Sequence, residues 1–249
     1  MELIGLGVIA GVIPVYVGIV VALWLGRILP RSGEGFLIGL ASGVLIYLFF
    51  DLMHESIELT TAQDPGSWVV FLSLLFCSFV GLAAMEWSQV FGQGSMGRML
   101  TLPYMIALGM GLHNLGEGLA IGASYANGEW VLSGVLVAGF ALHNGTEGFG
   151  IIAAAGKTRL PWTEILLLGL IAGGPTCLGT VLSGSQMSPY LSLACYTFAA
   201  GSLLYVFVSL IALSYTATRR LQVALGIFLG IGLMFITAMF LTLAGRPAS

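Results

Sequence analysis

The chain has 249 residues, 58% of them hydrophobic and only 8% charged, with a formal net charge of −3. So few charges cannot cover the surface of a soluble domain, and with no basic patch to bind it, nucleic acid is not expected as a partner. Eight apolar stretches are each long enough to cross a hydrocarbon core of about 30 Å. In chain order they run over 3–25, 35–59, 67–91, 99–126, 130–155, 161–183, 189–216 and 221–245. The first has Glu2 near its start and Pro14 in its middle but no basic leader, and is read as a retained helix rather than a cleaved signal.

Basic residues fall in alternate loops: Arg27 and Arg31 after span one, Arg98 after span three, Lys157 and Arg159 after span five, Arg219 and Arg220 after span seven. Only Arg246 stands on the other side. Basic loops face the cytosol, so both termini are expected outside. The predicted architecture is an all-α integral membrane protein: residues 1–249 form one domain, a single bundle of eight transmembrane helices. The membrane expected is a plasma or inner membrane, and the Gly-rich faces allow a homodimer.

Span two carries Asp51, His54, Glu55 and Glu58 toward its outer end, with the three carboxylates on one face at i, i+4 and i+7. They suit either an entrance or relay that concentrates cations, or a wet helix end. Glu86 and Glu164, nearer the cytosolic side, suit either the lining of an exit or solvated helix ends, and the second is the expectation. Cys77, Cys177 and Cys195 have no CxxC spacing and are expected as small buried hydrophobes. Glycine is abundant, 36 residues, as close helix packing in lipid requires. At Gly116, Gly145 and the Gly173-Gly174-Pro175 step, the backbone is expected to bend or to approach a cation.

The informative feature is a doubled motif. His113-Asn114-Leu115-Gly116-Glu117-Gly118 lies midway along span four, and His143-Asn144-Gly145-Thr146-Glu147-Gly148 midway along span five. In a helix each copy puts its His and Glu on one face, about 6 Å apart along the axis. The two spans run in opposite directions, so the motifs meet near the midplane. An ionised carboxylate there costs several kcal/mol unless it is compensated. Two carboxylates and one divalent cation sum to zero charge, with neutral imidazoles completing the shell. The donors are N and O without thiolate, which suits Zn²⁺, Fe²⁺, Mn²⁺ or Cd²⁺. Interhelical hydrogen bonding with protonated Glu is the alternative, and the duplication weighs against it.

HNLGEGLAIG followed by HNGTEG resembles helices four and five of the ZIP family of divalent-metal transporters, over roughly residues 105–155, with a weaker likeness at Ala41–Tyr47 (ASGVLIY). The resemblance implies eight helices with both termini outside, and metal contacts from His113, Asn114, Glu117, His143, Asn144 and Glu147. Where the family commonly has Pro before each motif Glu, this chain has Gly116 and Thr146. The sixth-helix carboxylate that helps some relatives hold a second metal is replaced by Gly174, and a second-helix ligand by Leu45. One metal per chain is therefore expected rather than two.

The expectation is a divalent metal carrier, most simply Zn²⁺ uptake toward the cytosol by alternating access. It is not an enzyme and has no prosthetic cofactor; the ion is the substrate. Binding needs neutral His and ionised Glu, so acid should compete with metal. The alternatives are a membrane-embedded metal-dependent hydrolase, disfavoured because the copies are not HExxH, and a membrane protein that binds metal without moving it.

Overall fold

Apolar chain in lipid must satisfy each backbone N–H and C=O within its own segment, which dictates helix. A computed structural model describes residues 1–28, 33–92, 95–155, 160–183, 189–214 and 220–244, and every element among them is helical. The first rod joins α1 (Glu2–Gly7), a π-helical stretch Val8–Val12, and α2 (Ile13–Ile28). Then come α3 (Gly33–Thr61), α4 (Ser67–Gly92), α5 (Ser95–Ala126), α6 (Trp130–Ala155), α7 (Trp162–Leu182), α8 (Pro189–Ser214) and α9 (Arg220–Ala244).

Among the described residues, 7 helices are long and apolar enough to cross a membrane, which makes the chain a multi-pass membrane protein. They match seven of the eight expected spans. The remaining one, 99–126, is helical within α5 but outside the apolar set, because its His, Asn, Glu and Gly residues dilute its hydropathy. Its 32 residues still reach about 48 Å. Arg31, Lys157, Arg159, Arg219 and Arg246, which carry much of the expected orientation, lie outside the described residues, as do the side chains of Arg27 and Arg98.

α5 and α6 are joined by a tight reversal. Glu129 N–H donates to Ser124 O (2.9 Å) and Gly128 N–H to Tyr125 O (3.0 Å), the paired bonds of a Schellman cap. Gly128 has φ +79°, a left-handed value that a side chain would oppose. His113 and His143 each lie 13 residues from the helix end facing this turn, so the reversal sets them level.

The first rod packs on α6 and α7, and α5 packs on α6, α7 and α8; α3 packs on α8 and α9, and α4 on α8. Three seams bring backbones into contact through glycine. A Cβ at Gly118 would lie 2.0 Å from Thr176 O on α7, one at Gly18 1.9 Å from Gly145 O on α6, and one at Gly39 2.3 Å from Val223 O on α9. Large side chains fill the remainder, among them Ile19, Leu45, Ile106, Met110 and Leu203, all buried. Trp24, Trp68, Trp130 and Trp162 are exposed at the periphery.

Two expectations are corrected here. Cys77 is exposed and Cys177 and Cys195 half-buried, all three as free thiols; helix faces that meet lipid need not be covered by protein. Glu86 and Glu164 are half-buried, not solvated: Tyr205 O–H donates to Glu86, and Tyr104 O–H donates to Glu164 at 2.5 Å. A tyrosine from a packed helix supplies the donor that solvent was expected to provide.

Candidate metal centre

The helical spacing of four residues does what it should. His113 Nε2 lies 3.0 Å from Glu117 Oε1, and His143 Nε2 from α6 meets the same oxygen. Ligand atoms of His113, Glu117 and His143 fall within 4.8 Å of one another, and all three residues are buried. The imidazole rings face each other at 5.8 Å between centroids, tilted by 34°. His113 Nε2 is at ion-pair distance from Glu117 but not aligned for a hydrogen bond, so neither of its ring nitrogens has a hydrogen-bond partner.

The asparagines cross the helix pair reciprocally. Asn114 on α5 donates through Nδ2 to Glu147 Oε2 on α6 (2.8 Å), and Asn144 on α6 donates through Nδ2 to Glu117 Oε2 on α5 (2.9 Å). Each uses the other hydrogen on a backbone carbonyl of a flanking helix: Asn114 on Ala172 of α7 (3.1 Å), Asn144 on Ala10 of the first rod (3.0 Å). The exchange α5 for α6 and α7 for the first rod is a local pseudo-two-fold. The six residues expected as metal contacts, His113, Asn114, Glu117, His143, Asn144 and Glu147, thus gather in one buried cluster, although only the three named above converge as a ligand group.

Donors and acceptors in this cluster do not balance. Asn114 Oδ1, Asn144 Oδ1 and Glu147 Oε1 are buried acceptors with no donor, besides the two nitrogens of His113. Buried polar atoms are nearly always partnered. A cation is the partner that several unmatched acceptors have in common, and the N/O donor set fits a borderline divalent ion.

Sequence reading missed Ala10 and Ala172, which act through main-chain oxygens, and Thr176 on α7, whose buried Oγ1 is also without a partner. Pro14 was the available signal for Ala10, since a proline withdraws the N–H that would close the preceding turn. At Gly173-Gly174-Pro175 the chain stays helical, and α7 runs through the step with Pro175 inside it. Thr146 also leaves α6 helical, with its Oγ1 donating to His143 O at 2.6 Å.

Asp51, His54, Glu55 and Glu58 on α3 are exposed and stand apart from the buried cluster. His54 Nε2 and Glu58 Oε1 pair at 3.3 Å. Asp51 lies within electrostatic reach of His54, His113, His143 and Glu117, and Glu55 within reach of Asp51 and Glu58. The series therefore leads along α3 toward the site, with Asp51 as its inner member. Asp64 in the α3–α4 connection accepts from Tyr190 O–H (2.5 Å) and Gly66 N–H (2.7 Å), and these bonds hold its carboxyl below the ordinary range.

A multi-pass helical bundle with a buried His–Glu–His group fits a metal transporter. Comparison with known proteins agrees in kind. The chain is 29% identical over 179 residues to an Arabidopsis thaliana protein named as a zinc transporter; the matched stretch is 69% of this chain and 28% of that relative. The chain thus corresponds to well under half of the relative's length. No family model matches the chain.

Proposed function

We propose that this protein is a divalent metal carrier of the ZIP type, moving Zn²⁺ into the cytosol through the α5–α6 cluster, with Fe²⁺, Mn²⁺ and Cd²⁺ as further candidate substrates. The observation behind this reading is the convergence of His113, Glu117 and His143 beside a second buried carboxylate, Glu147, with unmatched acceptors on all sides. His113, Glu117, His143 and Glu147 hold the ion, and Asn114 and Asn144 present their free Oδ1 atoms as weaker, exchangeable oxygens. One ion neutralises the two carboxylates, and Gly174 offers no third, so the stoichiometry is one metal per chain.

Ligands of this kind suit transport better than storage. A closed four-ligand zinc site binds too tightly to turn over, whereas amide oxygens release readily. Asp51, Glu55 and Glu58 with His54 gather cations on the outer side and pass them inward. In this reading α5 spans the membrane as the eighth helix, both termini face outward, and the ion leaves to the cytosol once the bundle rearranges. The relative's name agrees with zinc as the substrate.

The test is radioactive zinc uptake into proteoliposomes by the full chain, Glu117→Ala and Glu147→Ala, with cadmium, manganese and iron as competitors. Saturable uptake lost in both variants is expected. Stoichiometric zinc binding without flux by folded protein would instead establish a binding protein.

A further inference from the structure

We infer that Pro14 and the π-helical turn before it position Glu117 for the ion, acting through Asn144; the inference rests on the metal-site reading above. In an α-helix the carbonyl of Ile9 accepts from Ile13 and that of Ala10 from residue 14. Here Ile13 N–H reaches Val8 O, five residues back, and Pro14 has no N–H to give. Ala10, fully buried, thus keeps a carbonyl without its α-helical donor.

Asn144 supplies that donor. Its Nδ2 lies 3.0 Å from Ala10 O and 2.9 Å from Glu117 Oε2. An amide nitrogen has two hydrogens, so both are committed and the plane of the amide is fixed. With Oε2 held by Asn144, Glu117 turns Oε1 toward the two imidazoles. The first rod, which contributes no side chain to the ligand group, therefore sets the orientation of a ligand on α5. π-Bulges are often found at functional sites; here the bulge diverts the donor of Ile9 and the proline removes that of Ala10, whose carbonyl is open where the site needs an acceptor.

The equivalent link across the pseudo-two-fold is built differently. Asn114 donates to Ala172 O, but Pro175 withdraws the donor of Ile171, one residue earlier, and Thr176 N–H remains available to Ala172. Dependence on a proline is confined to the Asn144 side. Any other residue at position 14 restores an N–H that competes for Ala10 O, which loosens Asn144 and with it Glu117.

The experiment is a double-mutant cycle on Pro14→Ala and Asn144→Ala in the full chain, read both as zinc Kd by equilibrium dialysis and as zinc uptake KM and maximal rate in proteoliposomes. Pro14→Ala is expected to weaken zinc binding about tenfold, the lower end of what losing a ligand's hydrogen-bond partner costs, with KM raised in step and maximal rate nearly unchanged. In the Asn144→Ala background the same change should add nothing. Pro14→Val should match Pro14→Ala, since the effect follows from the N–H rather than side-chain size, and either variant suffices if the other fails to fold. An unchanged Kd, or a shift of equal size in both backgrounds, overturns the inference. If the wild type binds zinc and transports none, the transport reading falls while the Kd cycle still decides this one; folded wild type that binds no zinc overturns both.

Discussion

The two site carboxylates are not equivalent, and their hydrogen bonds predict opposite responses to the same substitution. Glu117 is engaged at both oxygens, by two imidazoles and by Asn144, whereas Glu147 accepts only from Asn114 and leaves Oε1 without a donor. Glu147→Gln keeps an oxygen for Asn114 and removes the buried Oε1 that has no donor, putting in its place an amide N–H among unmatched acceptors, so the metal-free protein should gain about 1–3 kcal/mol. Glu117→Gln turns an amide N–H toward either Asn144 or the imidazoles and should lose a similar amount. Both should weaken zinc binding by about 100-fold or more. Thermal melting with and without zinc reads both signs, and equal metal-free melting temperatures would contradict the assigned asymmetry. Asp64 makes a separate pH prediction. Its bonds to Tyr190 and Gly66 favour the ionised form, so the stabilisation is complete above the ordinary carboxylate value of about 3.9 and fades as pH falls through the lower native value. Tyr190→Phe should lower the melting temperature at pH 7, with the difference shrinking toward pH 3.

Elements approach as closely as their glycines permit, and that sets which substitutions matter. At Gly118 and Gly18 an added Cβ meets backbone carbonyl oxygens at 2.0 and 1.9 Å, so neither neighbour can yield by rotating a side chain. Gly118→Ala and Gly18→Ala should each destabilise by about 1–3 kcal/mol and, by prising α7 from α5 or α2 from α6, lower zinc affinity as well. Gly232→Ala on α9, where nothing lies within 4 Å, should change the melting temperature little. The helical elements themselves were legible in the sequence because apolar length and sparse breakers define them locally. The pairing of seams was not, since Gly118 and Gly232 look alike until the partner helix is known. The same limit applied within the site: the doubled motif disclosed His113, Glu117, His143 and Glu147, but the partners of Asn114 and Asn144 are main-chain oxygens of Ala172 and Ala10, which no residue type announces. Glu86 and Glu164 were misjudged for a related reason, their tyrosine partners being 119 and 60 residues away.

At the scale of the molecule, the site is where the helices that surround it are fastened to each other. α5 and α6 carry the candidate ligands, Asn144 ties them to the first rod, and Asn114 ties them to α7. α4 and α9 make no hydrogen bond to this cluster among the described residues, and α9 meets α3 through its own glycine seam. An ion drawn into the cluster should therefore stabilise the chain unevenly. Zinc at 100 times its Kd adds about 2.7 kcal/mol to the folded state, and amide hydrogen exchange in detergent or nanodiscs should show where local opening is suppressed. Slower exchange is expected around Val8–Val12, His113–Gly118, His143–Gly148 and Ala172–Thr176, with Arg220–Ala244 unchanged. Protection confined to α5 and α6 would show that the asparagine ties do not transmit the ion's effect to the flanking helices, and uniform protection, α9 included, would show that the whole bundle tightens as one body.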